Sequence, residues 1–104
     1  VEEVALEAQG RTILVVDDEA GIREIAGLVL QQAGFTVINA TDGQEALRLF
    51  HQDPAGIDAV LIDIMMPLMS GDRAAQEMWK VKPDLPVLFM SGLMEHDTVQ
   101  ASLK

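Results

Sequence analysis

The chain has 104 residues, with 17 Asp plus Glu against 7 Lys plus Arg, a formal charge of −10 and no cysteine. That length fits one domain, and a chain of this size buries roughly 65% of its unfolded surface, enough for a core without covalent staples. Disulfide scaffolds, thiolate zinc sites and thiol catalysis are excluded. The negative charge opposes a phosphate backbone, so direct nucleic-acid binding by this segment is not expected, and no apolar run approaches the ~18 residues of a membrane span.

Residues 1–11 read as a lead-in or linker. Val4, Leu6 and Ala8 are too few for a buried face, and Gly10 interrupts before the first strong signal. The start lacks the basic residues of a signal peptide. Residues 12–104 carry the domain. Ile13-Leu14-Val15-Val16 is wholly apolar and mostly β-branched, as in a strand buried on both faces of a parallel sheet. It stops at Asp17-Asp18-Glu19. A helix follows, with Ile22, Ile25, Ala26, Val29 and Ala33 on one face and Gly34 placed to stop it.

Phe35-Thr36-Val37-Ile38 is the second strand. Thr41-Asp42-Gly43 turns the chain into a short helix marked by Ala46, Leu47 and Phe50, which Asp53-Pro54-Ala55-Gly56 breaks. Residues 57–62 form a third strand, nearly continuous in apolar residues, that ends at Asp63. A loop containing Pro67 leads to Ser70-Gly71-Asp72, which fits the start of a helix bearing Ala74, Ala75, Met78 and Trp79. Val87-Leu88-Phe89-Met90 is the fourth strand, closed by Ser91-Gly92. Residues 95–104 look like the opening of a fourth helix, with Val99 and Leu103 four apart.

Strict βα alternation, with strands that lack the polar alternation of a one-sided sheet, predicts an α/β fold. Its sheet is open, parallel and doubly wound, with helices on both faces in three layers, since four units cannot close a barrel of eight. In such sheets the ligand site lies at the carboxyl ends of the strands, where the winding reverses. Asp17 and Asp18 stand at the end of the first strand, Asp63 at the end of the third and Ser91 at the end of the fourth. With strand order 2-1-3-4 these residues converge.

Taken singly, each Asp also fits a cap or a turn; three at one sheet end are harder to explain that way. Two carboxylates ~5 Å apart repel by about 3 kcal/mol at an effective dielectric of 20, so the cluster calls for a proton or a cation. With oxygen ligands only, the ion is hard: Mg²⁺, Mn²⁺ or Ca²⁺, of which Mg²⁺ best suits a small site serving phosphoryl chemistry.

Three stretches carry a family resemblance. Ile13-Leu14-Val15-Val16-Asp17-Asp18-Glu19, Leu61-Ile62-Asp63-Ile64-Met65-Met66-Pro67-Leu68-Met69-Ser70-Gly71 and Val87-Leu88-Phe89-Met90-Ser91-Gly92 resemble the receiver domains of two-component response regulators in order and spacing. The resemblance implies a flavodoxin-like strand order of 2-1-3-4-5. It implies that Asp63 accepts a phosphoryl group from a histidine kinase or a phosphotransfer domain, in a cytoplasmic phosphorelay. Asp18 and Asp63 would contact Mg²⁺ (or Mn²⁺) directly, Asp17 through water, and Met65 through its backbone carbonyl. Ser91 would be the switch hydroxyl. The protein would be a signalling switch rather than an enzyme.

The family also has a fifth strand beginning near a Lys, followed by a fifth helix, and this chain is expected to stop short of both. Neither Lys82 nor Lys104 fits that Lys, and both read as solvated charges. An exposed sheet edge, or the fourth helix, would then favour a homodimer. Two other classes stay open: a degenerate receiver acting only as an interaction module, and a hydrolase using an Asp nucleophile. Trp79 and the six Met read as core filling, with Trp79 alternatively at a partner surface. His51 and His96 stand alone and do not read as metal ligands.

Overall fold

The computed structural model describes residues 10–90. Strands β1 (Thr12–Val16), β2 (Thr36–Ala40), β3 (Ala59–Asp63) and β4 (Val87–Met90) form one parallel sheet of order β2-β1-β3-β4. Helices α1 (Ala20–Gln32), α2 (Gly43–Gln52) and α3 (Gly71–Val81) alternate with them, and a 3-10 turn occupies Pro54–Gly56. This is the open doubly wound arrangement that the alternation predicts. Most of the expected lead-in, Ser91 and the expected fourth helix lie outside the described residues.

β1 is central because it is apolar on both faces. Its residues from Ile13 to Val16 are buried, and Val15 pairs with Asn39 on one side and Leu61 on the other. The second strand runs further than its apolar residues suggest, since Asn39 and Ala40 still pair with Val15 and Val16. The third begins later than expected: Ile57 caps the 3-10 turn, and Asp58 accepts the Thr12 N–H at 2.7 Å.

Local chemistry fixes the helix ends. Beyond α1, Gly34 N–H donates to the Gln31 carbonyl and Phe35 N–H to the Leu30 carbonyl, both at 3.0 Å. That double closure needs the positive φ of 105° that Gly34 adopts without a Cβ clash. At the start of α2, Asp42 Oδ1 accepts the Glu45 N–H and Glu45 Oε1 accepts the Thr41 N–H, each at 2.8 Å. This reciprocal cap contributes about 1 kcal/mol.

One sheet face carries the main core. Leu14, Val16, Ala40, Val60 and Ile62 pack with Ala46 and Phe50 of α2 and with Ala74 and Met78 of α3. Trp79 joins this cluster, and its Nε1 donates to the Leu85 carbonyl at 2.8 Å, so it closes the turn into β4 as a core residue. Lys82 is not a solvated charge. Its Nζ donates to the carbonyls of Ile57 (2.7 Å) and Pro54 (3.4 Å), tying the end of α3 to the 3-10 turn. The Pro54 carbonyl also accepts the Ile57 N–H at 3.3 Å, so the ammonium group adds a second donor there and a shorter bond to the Ile57 carbonyl just past the turn.

The other face carries α1, packed on β1 and β2. The stripe turned to the sheet is Ala26, Gly27 and Leu30, whereas Ile22, Ile25 and Val29 of the expected face are exposed. Gly27 is the one buried residue of this helix. A Cβ built on Gly27 would touch Val37 Cγ1 at 3.8 Å, and the bulky branched residues are left on the flank. Cover on this face fades across the sheet. Val15 is fully buried, its neighbour Leu61 half-buried, and Leu88 next to it 68% exposed.

Candidate functional site

The adjacency of β1 and β3 builds the site. Asp17 follows the last residue of β1, and its N–H donates to the Ala40 carbonyl at 3.2 Å, extending the ladder by one step. Asp63 is the last residue of β3, opposite Met90. Oxygens of Asp17, Asp18 and Asp63 lie within 4.8 Å of one another. The structure thus brings together the three carboxylates that the strand ends predict.

Their environments differ. Asp17 is buried and Asp18 exposed, and Asp63 as a whole residue is half-buried. Burial pushes the Asp17 carboxyl above its ordinary value. The Glu19 N–H, donating to Asp17 Oδ1 at 2.9 Å, pulls it down, while the charges of Asp18 and Glu19 push it up. A buried carboxylate beside two others is a strained electrostatic arrangement, relieved by a proton or by a cation.

The loop after β3 is shaped around Asp63. Met65 N–H donates to Asp63 Oδ1 at 3.1 Å, and the Met65 side chain points outward, 62% exposed. Leu68 holds a positive φ of 73° and is exposed, an uncommon conformation for a residue with a branched side chain. Gly71 N–H then closes the loop on the Ile64 carbonyl at 2.8 Å. Ser70 occupies the N-cap position of α3 with extended backbone, but its side chain accepts no capping bond. Ser91 lies outside the described residues.

Two further residues shape the site: Gly71, which the sequence placed only at a helix start and in the family stretch, and Arg23, to which it gave no role. Gly71 lies so close to β3 that a Cβ would sit 2.8 Å from the Asp63 carbonyl carbon and nearer still to its oxygen. Its signal was a glycine at the first position of a helix, where no left-handed turn is needed. Arg23 donates from Nη1 to the Asp17 carbonyl at 2.6 Å. Its signal was a cation near a helix N-terminus, where the dipole favours acids.

A donor set of three carboxylates fits a hard divalent ion and no soft one. Residues 13–104 match the model of the response regulator receiver domain family. The chain belongs to that family. A probable transcriptional regulator, ycf27 of Guillardia theta, is 44% identical over 81 residues, covering 78% of this chain and 31% of its own. Among solved structures, a receiver domain protein of Clostridium thermocellum superposes with a TM-score of 0.79 at 31% identity, over 89% of this chain and 74% of that one. The response regulator TrrA of Thermotoga maritima, solved with Mg²⁺–BeF, gives 0.75 at 36% identity, over 84% and 75%. The chain spans about a third of the length of the ycf27 relative.

Proposed function

We propose that the chain is a phosphoacceptor switch in which Asp63 takes a phosphoryl group from a phosphohistidine. The observation that carries this is the carboxylate cluster at the carboxyl edge of β1 and β3. An Asp63 oxygen attacks phosphorus in line, the P–N bond breaks, and the imidazole leaves with its proton. Mg²⁺, or Mn²⁺ in its place, would be held by Asp18, Asp63 and the Met65 carbonyl, with Asp17 acting through water. Held there, the ion would supply positive charge against the phosphoryl oxygens. Ser91 then serves as the hydroxyl that bonds the new group. The Mg²⁺–BeF complex of TrrA supports the same use of the cluster in this chain.

The donor is a histidine kinase or phosphotransfer protein, the compartment is cytoplasmic, and the domain is residues 12–104. No helix among the described residues is long and apolar enough to cross a membrane. A homodimer through the β4 edge is supported by the exposed Leu88 and Phe89 there. The other dimer surface weighed from sequence, the fourth helix, lies outside the described residues. The added charge and acceptors at Asp63 bias a two-state surface, which is how such a site reports.

The test is labelling of the intact protein by a small acyl phosphate with and without Mg²⁺. An alkali-labile, Mg²⁺-dependent label that disappears in Asp63→Asn is expected. A label retained by D63N, or one indifferent to Mg²⁺, would sink the assignment. Steady release of phosphate without accumulation would instead favour a hydrolase.

A further inference from the structure

We infer that Arg23 is a positioning residue for the divalent-ion site, acting on the peptide unit that joins Asp17 to Asp18. This inference rests on the reading of the cluster as a Mg²⁺ site. Arg23 Nη1 donates to the Asp17 carbonyl at 2.6 Å, and Arg23 is half-buried in the first turns of α1. The bonded oxygen belongs to the peptide plane from which both carboxylates branch. One hydrogen bond therefore fixes the direction in which two ligands leave the backbone.

The other restraints fall on Asp17. Its N–H is held by the Ala40 carbonyl and its Oδ1 by the Glu19 N–H. The Glu19 bond closes a turn over Asp18 through the Asp17 side chain, but only the Arg23 bond holds the carbonyl of the peptide that joins the two residues. The Arg23 backbone N–H donates to the Glu19 carbonyl at 3.2 Å, so the same residue grips the loop at both ends, once through its main chain and once through its side chain. Asp18 is exposed and follows directly in this short loop, so its placement depends on the backbone more than on packing.

The sign of the effect separates positioning from plain electrostatics. A cation beside the loop repels a divalent ion, so removing its charge alone should tighten Mg²⁺ binding. Loss of a positioning bond should weaken it, by about 10-fold on the scale of groups that orient metal ligands. The two roles predict opposite directions.

The experiment titrates the intact protein with Mg²⁺ alone, by calorimetry at fixed ionic strength. It compares parent, Arg23→Met, Arg23→Gln and Arg23→Lys. Arg23→Met keeps the apolar stem and loses the donor; Arg23→Gln is too short to reach. Both are expected to bind about 10-fold more weakly. Arg23→Lys can supply the single donor that is used, and is expected to stay within about 3-fold of the parent. The Asp18 amide, followed by NMR in EDTA, should shift and exchange faster in Arg23→Met and Arg23→Gln. Should Arg23→Met fail to fold, the Gln and Lys variants decide the question. Binding by Arg23→Gln as tight as the parent's, or tighter, overturns the inference while leaving the ion site intact. A parent that binds no Mg²⁺ overturns both.

Discussion

The buried carboxylate at position 17 sets stability against function, and Asp17→Asn measures the trade. Asparagine keeps the oxygen that accepts the Glu19 N–H and removes the charge. Two carboxylates 4.8 Å apart, the outer separation within the cluster, repel by about 3 kcal/mol at an effective dielectric of 20. Exposure of Asp18 and screening by salt reduce this to about 1 kcal/mol. Asp17→Asn should therefore melt about 4–8 °C above the parent in EDTA at pH 7.

The pH dependence follows from the direction of the shift. Burial raises the folded-state pKa of Asp17 above its ordinary 3.8. The folded chain then binds that proton more tightly than the unfolded chain does. Stability from this group is greatest below pH 3.8 and is lost as pH rises through the folded pKa. The advantage of Asp17→Asn should shrink as pH falls through the same window. Saturating Mg²⁺ should reverse the order, since ion at 100 times its dissociation constant adds about 2.7 kcal/mol to a chain that binds it. Thermal melts across pH, with EDTA or Mg²⁺, read all three effects. A variant no more stable than the parent in EDTA, or one whose advantage persists unchanged at pH 3, would refute the charge argument.

Three other outcomes are expected. Gly71→Ala forces a methyl to within 2.8 Å of the Asp63 carbonyl carbon, so α3 must move away. Overpacking of this kind costs about 1–3 kcal/mol, and denaturant melts together with weakened Mg²⁺ binding would show it; full stability would mean the approach is looser than described. Lys82→Met removes the tie to Ile57 and Pro54 and should cost about 1–2 kcal/mol by urea unfolding, with Mg²⁺ affinity unchanged. Met65 places an exposed apolar side chain two residues from Asp63, where it cannot orient an attacking water. Met65→Asn in the intact protein should shorten the life of the phosphoryl group, and an unchanged or slower decay would contradict this.

The strands were legible because each is a short apolar run bounded by Asp, Gly or Pro, and because a parallel sheet buries both faces of its central strand. Ile13-Leu14-Val15-Val16 illustrates this. The face of α1 was not. Periodicity grouped Ile22, Ile25 and Val29 with Ala26 by side-chain character, yet the residues turned to the sheet are Ala26, Gly27 and Leu30. Gly27, which has no side chain for periodicity to count, is the buried residue of the helix. The role of Lys82 was hidden for a related reason. Its partners are carbonyls 25 and 28 residues away, and only the packing of α3 beside the 3-10 turn brings them within reach.

The candidate site divides along the same line. Asp17, Asp18 and Asp63 could be placed from sequence because strand ends and strand order suffice to gather them. What holds them apart from a generic acidic patch could not. Asp17 is fixed by Ala40, Glu19 and Arg23, and Asp63 by Met65 together with the close passage of Gly71. Most of these contacts use backbone atoms, which carry no residue-type signal. Three carboxylates would spread apart if left to their own repulsion; the main chain keeps their oxygens within 4.8 Å. That repulsion costs folded stability when the cluster is empty, and the same closeness gives a divalent ion its binding energy. A loosened loop should therefore stabilise the ion-free fold slightly while weakening the site, and this opposition is what a purely structural acidic turn would lack.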